Sequence, residues 1–129
     1  MDRIDVRVAL SRPTLADLQF GSTYAESTAV VAARVLAARE RAGARLDQTP
    51  WVINNDVPGP DLRRLFPLPQ SAADSLNSAL MRGQLSPRGA DRVARVSWTV
   101  ADLAGHDRPT RSDVLAALAH RDGSISWAA

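Results

Sequence analysis

The segment from Ser86 to Gly105 carries a start signal, an apolar periodicity and a stop signal in register, and it constrains the fold more than any other. The Ser86 hydroxyl can cap a helix, and Pro87 suits the first helical position, where its missing N–H costs nothing. Val93, Val96, Val100 and Leu103 recur at three- and four-residue spacing, which predicts an amphipathic helix running to Ala104. Gly105 then supplies the stop. A helix of this length with one apolar stripe needs other helices to cover it, so a helical bundle is expected.

The rest of the chain supplies the partners. A helix is expected from Ser27 to Leu46, with Val31, Val35, Ala38 and Ala42 as its stripe and the charged stretch Arg39, Glu40, Arg41 and Arg45 on a solvated face. Pro60 opens a short helix that ends before Pro67 with Leu62 and Phe66 inward. Gln70 to Met81 forms another, burying Ala73, Leu76, Ala79 and Leu80 before Gly83. Thr110 and Asp113 make a capping-box start for a last helix through His120 that buries Val114, Ala117 and Leu118. Residues after Arg121 read as frayed. Gln48 to Gly59 is an irregular connection rich in Asn and Pro, with Trp51, Val52 and Ile53 in need of cover.

Ahead of these helices, Ile4, Val6, Val8 and Leu10 alternate with Asp5, Arg7 and Ala9, which predicts a strand. A lone strand has no partner for its hydrogen bonds, so this segment reads as the end of a sheet whose other strands lie upstream. From Pro13 to the Ser27 helix, Gly21 and Ser22 mark a loop. The expected fold is all-α: a small bundle of about five helices preceded by one short strand. Three regions are expected: the strand at 1–12, a helix and connection at 13–58, and the main bundle at 59–129.

Composition narrows the chemistry. The 129 residues include no cysteine and two histidines, His106 and His120, too few for a zinc cage, and no metal site is expected. No apolar run approaches the roughly 20 residues that span a bilayer, so no membrane partner is expected and a cytoplasmic location fits. All sixteen basic residues are arginine, which explains a pI near 10.3 with a net charge of only +2. That pI is therefore weak evidence for nucleic acid. With no lysine and no phosphate-cradling glycine loop, the chain has no Walker A motif, and autonomous catalysis is not expected.

Two arginines stand out. Arg95 lies about 200° around the helix from Val93 and should point away from the core. On spacing alone it would pair with Asp91, four residues earlier, on a solvated face, for a few tenths of a kcal/mol. Arg3, between Asp2 and Asp5, is on spacing alone a solvated terminal charge.

The run LSPRGADRVARVSWTVADLAG, from Leu85 to Gly105, closely resembles the carboxy-terminal signature of magnesium-chelatase-like AAA+ ATPases of the ComM and YifB type, where RVxRVAxTIADLAG is typical. DRPTRSDVLAALAHR resembles that family's last helix, DRIDVRVAL the segment closing its ATPase core, and INNDVPGPDLRRLFPL its Asn-containing connection before the lid. The resemblance covers nearly the whole chain in order. Ser97 and Trp98 depart from it, standing where Ala and Arg are frequent.

The resemblance implies a helical lid whose Walker motifs lie upstream. Arg3 would match the family's arginine finger, acting on a neighbouring subunit's ATP, and Arg95 the sensor 2 arginine, contacting nucleotide phosphate. It further implies ATP and magnesium in the full-length protein and none in this piece. The partners would be the chain's own ATPase core and the neighbouring subunits of a hexameric ring, with DNA as the remodelled substrate. The competing reading is a free-standing helical module that binds nucleic acid or protein.

Overall fold

The computed structural model describes residues 3–123 and 126–127. Along the chain these form β1 (Ala9–Leu10), α1 (Leu15–Tyr24), α2 (Thr28–Leu46), a short 3-10 turn (Asn54–Asp56), α3 (Gly59–Leu65), α4 (Gln70–Met81), α5 (Pro87–Ala104), α6 (Arg111–Asp122) and β2 (Ser126–Trp127). The all-α bundle is as expected. Helix α5 is its axis and packs against α2, α3, α4 and α6, while α4 also meets α6.

The caps explain why the helix limits were legible. Ser86 accepts a hydrogen bond from the Gly89 N–H at 3.0 Å, and Gly105 closes α5 in the left-handed region at φ 79°. Ser27 accepts from Val30 at the start of α2. At α6, Thr110 and Asp113 exchange a reciprocal capping box.

Helix α1 replaces the expected loop. Its signal was another capping box, in which Thr14 N–H donates to Asp17 Oδ2 at 2.7 Å and Asp17 N–H donates back to the Thr14 hydroxyl at 3.2 Å. The helix has little apolar periodicity, and Leu15, Leu18 and Phe20 are all exposed, so a reading based on stripes passes over it.

The opening strand is shorter than its alternation suggests and is not alone. Among the described residues of this segment only Ala9 and Leu10 form a strand pair, in parallel with Ser126 and Trp127. The expectation of missing neighbours overlooked the tail, because parallel pairing at such separation leaves no local turn signal. Met1, Asp2, Ser124, Ile125, Ala128 and Ala129 lie outside the described residues; of the tail expected to fray after Arg121, Asp122 ends α6, Gly123 caps it, and Ser126 and Trp127 are paired.

The core runs between α5 and its neighbours through Leu46, Leu62, Leu76, Val93, Trp98 and Val114. The buried face of α5 shares Val93 with the predicted valine stripe but is otherwise displaced from it. It comprises Ala90, Val93, Ala94, Ser97, Trp98, Ala101 and Asp102, whereas Val96 and Val100 are half-buried and Leu103 is exposed. The face is rotated by about a third of a turn. Small side chains let α2 and α6 approach closely, and two polar ones are satisfied inside: the Ser97 hydroxyl donates to Val93 O at 2.7 Å, and Asp102 is ion-paired. In α2 only Ala38, Ala42 and Leu46 are buried. The front half, with Val31 and Val35, projects past the bundle and stays exposed. Val52, expected to need cover, is exposed as well.

The α6 cap carries a pH dependence. Burial alone would push the Asp113 carboxyl up, but the Thr110 main-chain N–H, the His106 ring and the Thr110 hydroxyl hold it below the ordinary carboxylate value of 3.8. A group lowered on folding contributes stability above that value and loses it as pH falls through its folded-state value. Asp113→Ala is expected to cost about 1 kcal/mol at neutral pH, as losses of helix caps do. It should also flatten the fall in stability below about pH 4. Urea midpoints at neutral and acidic pH, followed by circular dichroism, measure both; an unchanged acid limb removes Asp113 from the account.

Candidate functional site

Three stretches of chain converge beside α5: residue Asp5, the turn at Asn54 and Asn55, and the face of α5 bearing Arg92, Arg95, Val96 and Thr99. Together they line a hollow of about 70 Å³. Sites that enclose small molecules run to about 300–1,000 Å³. This hollow can therefore offer a contact to a ligand held elsewhere but cannot enclose one.

Arg95 is half-buried, and its Nε donates to the Val57 carbonyl at 2.8 Å. Asp91 is not its partner, because that carboxylate pairs with Arg63 of α3. The rotation of the buried face brings Arg95 to the margin where the connection crosses α5, so it does not point straight out. No other hydrogen bond of its guanidinium is found among the described residues, so Nη1 and Nη2 keep their donors, and Arg95 lines the hollow. Arg92 differs: its Nη1 lies 2.5 Å from Asp5 Oδ1, so its charge is matched. Arg3 is exposed in a turn, two residues before Asp5, and is not one of the residues lining the hollow. The structure thus joins Arg95 to the Asn-containing connection and does not bring Arg3 to it.

Behind the hollow stands a polar cluster that periodicity did not suggest. Arg45 of α2 grips Asp102 of α5 with two parallel bonds, Nη1 to Oδ1 at 2.7 Å and Nη2 to Oδ2 at 2.8 Å. Asn54 completes it, accepting from Arg45 Nη2 at 2.7 Å and donating to Asp102 Oδ2 at 3.0 Å. Arg41 donates to the main-chain oxygen of Asp102 at 2.6 Å, placing a cation at the carboxy terminus of α5 where the helix dipole favours it. Arg41 and Arg45 thus serve α5, where a solvated face had been expected. The Arg45 guanidinium also lies 4.3 Å from the centroid of the Trp98 ring. Trp98 itself fills the bundle, edge-on to Phe66 at 6.1 Å. Sequence spacing could not find this cluster, since its members are 48 and 57 residues from Asp102; only the adjacent Asn54 and Asn55 in the connection hinted at it.

Two general limits hold. Among the described residues, no three His, Asp or Glu side chains gather to hold a metal ion, and no helix is long and apolar enough to cross a membrane.

A family model described as magnesium chelatase, subunit ChlI C-terminal, matches residues 25–121. An uncharacterized protein of Mycobacterium tuberculosis (strain ATCC 25618 / H37Rv) is 44% identical over 121 residues, covering 94% of this chain and 24% of that protein. YifB of Escherichia coli (strain K12), also uncharacterized, is 31% identical over 121 residues, covering 94% and 23%. The chain therefore spans about a quarter of the length of the curated relatives it matches. No solved structure matches it. The extent of the family match, together with the capped α5 and α6 that it includes, settles the classification: the chain belongs to the magnesium chelatase, subunit ChlI C-terminal family.

Proposed function

We propose that this chain is the helical lid of a ring-forming AAA+ ATPase, in which Arg95 acts as sensor 2 on nucleotide phosphate. The observation that carries the reading is how Arg95 is held. Its Nε is spent on the Val57 carbonyl, which restrains the guanidinium plane, and the residue lines the hollow. A planar fork with one edge anchored suits bidentate contact with phosphate oxygens. Held in that position, it would offset charge building on the phosphoryl group during transfer, a contribution of several kcal/mol once water is excluded. Arg3 would serve as the arginine finger toward a neighbouring subunit's nucleotide, and its exposure suits a group that acts outside its own chain.

In this reading residues 1–12 end the ATPase core, 13–58 lead out of it, and 59–129 form the main lid bundle. The core, with its Walker motifs and the ligands for magnesium, occupies the remaining length seen in the relatives. Exposed Leu15, Leu18 and Phe20 on α1 and Val30, Val31 and Leu36 on the projecting half of α2 give that core an apolar seat. The ring works in the cytoplasm and remodels DNA. A free-standing nucleic-acid module is disfavoured, because Arg34, Arg45, Arg63, Arg64 and Arg92 are each paired with a carboxylate.

In the full-length protein, Arg95→Ala is expected to lower ATP turnover about a hundredfold, comparable to removing one positioned donor from a transition-state site, while circular dichroism keeps the helical signal. Wild-type turnover would remove the sensor assignment. Arg3→Ala should also be slow. Mixed with subunits disabled in nucleotide binding, it should regain activity if the finger acts across subunits; no recovery would assign Arg3 another role.

A further inference from the structure

We infer that Asn54 is a positioning residue for Arg95, holding the carbonyl that aims its guanidinium. This rests on the sensor reading of Arg95 and assigns the connection before α3 a part in it. The Asn54 side chain reaches two helices at once. Its Oδ1 accepts from Arg45 Nη2 of α2, and its Nδ2 donates to Asp102 Oδ2 and, at 3.1 Å, to the Thr99 hydroxyl of α5. The amide has one orientation in this network, since turning it over would set its oxygen against the Asp102 carboxylate and its N–H₂ against the Arg45 guanidinium.

From Asn54 the constraint passes along the backbone. Asn54 begins the 3-10 turn, and the Val57 N–H donates to the Asn54 carbonyl at 3.3 Å, so the position of Val57 follows that of Asn54. The Val57 side chain is fully buried in the core, which fixes the direction of its own carbonyl. That carbonyl receives Arg95 Nε. A second route closes the loop: the Thr99 hydroxyl, held by Asn54, donates to the Arg95 main-chain oxygen at 3.3 Å. Asn54 therefore reaches Arg95 twice, through Thr99 to its main-chain oxygen and through the 3-10 turn to the acceptor that orients its side chain. It also lines the hollow, as Arg95 does. An arginine has many rotamers, and one whose Nε partner shifts loses the geometry needed for a two-point contact.

The test is steady-state ATP hydrolysis by the full-length protein, comparing Asn54→Ala, Arg95→Ala and the double variant. Asn54→Ala is expected to reduce kcat about tenfold with KM little changed, the pattern of an interaction made in the transition state. The double variant should be no slower than Arg95→Ala alone, within about twofold, because Asn54 acts through Arg95. Thr99→Val, which removes one bond of Asn54 and leaves the Arg45 and Asp102 pair intact, should lower kcat in the same non-additive way and supplies the answer if Asn54→Ala folds poorly. Losses that multiply in the double variants would mean that Asn54 supports the fold generally, and would overturn the inference. Wild-type kcat in Asn54→Ala and Thr99→Val, with Arg95→Ala impaired, would overturn it and leave the sensor reading standing. Wild-type kcat in Arg95→Ala would remove both.

Discussion

Asp102→Ala should destabilise the bundle by about 3–5 kcal/mol, the range found when one partner of a buried ion pair is removed. The Asp102 side chain is 2% exposed and that of Arg45 15%, so the arginine cannot turn freely into water when its carboxylate is lost. Three bonds go with the carboxylate: two from Arg45 and one from Asn54. The guanidinium left behind keeps Asn54 Oδ1 and the Trp98 face, too little to compensate a desolvated charge. Domains of this kind have about 5–15 kcal/mol in total, so the variant should melt far below the wild type and show a lowered urea midpoint at unchanged slope. Adding Arg45→Met should recover part of the loss, since an apolar replacement of both partners removes the unpaired charge. An unfolding free energy for Asp102→Ala within about 0.5 kcal/mol of wild type, the range of ordinary surface changes, would mean that the pair is solvated and carries little.

That pair also shows where legibility in the sequence stops. Helix limits were readable because each is written locally: Ser86, Thr110 and Ser27 cap their own N-termini, and Gly105 takes a left-handed conformation that favours glycine. Helix α4 begins and ends at the residues its pattern predicts, Gln70 and Met81. What periodicity could not supply was the buried face of α5. A reading that ranks Val above Ala and Ser picks the wrong third of the helix when close packing selects small residues and an Asp is neutralised by an Arg 57 residues away. The candidate site followed the same rule. Arg95 came from a motif, but its anchor on Val57 depends on a connection that local patterning describes only as irregular. Helix α1 was missed for the opposite reason: its cap is sound, yet it has no buried stripe to betray it.

Trp98→Ala is expected to cost about 3–5 kcal/mol, the usual range for emptying a large aromatic from a core. Trp98 is 4% exposed and stands at the crossing of α5 with both α2 and the end of α3. Three separate interactions end in its ring. The edge-on contact with Phe66 at 75° between planes fixes the exit from α3, and the indole Nε1 donates to the Phe66 carbonyl at 3.3 Å, at the carboxy-terminal end of that helix. The third is the Arg45 guanidinium over its face. Trp98→Phe keeps much of the volume and loses the indole N–H, so it should cost distinctly less, about 1–2 kcal/mol. Urea denaturation followed by far-ultraviolet circular dichroism separates these values without relying on tryptophan fluorescence, to which Trp98 contributes with Trp51 and Trp127. Because Arg45 is shared, Trp98→Ala and Asp102→Ala should not add: once either support is gone the guanidinium is already displaced, and the double variant should fall short of the sum by about 1 kcal/mol. Strict additivity would mean that Arg45 serves the two partners independently. A shortfall would make Arg45 the joint through which the packing of the bundle reaches Asn54, and with it the carbonyl that orients Arg95.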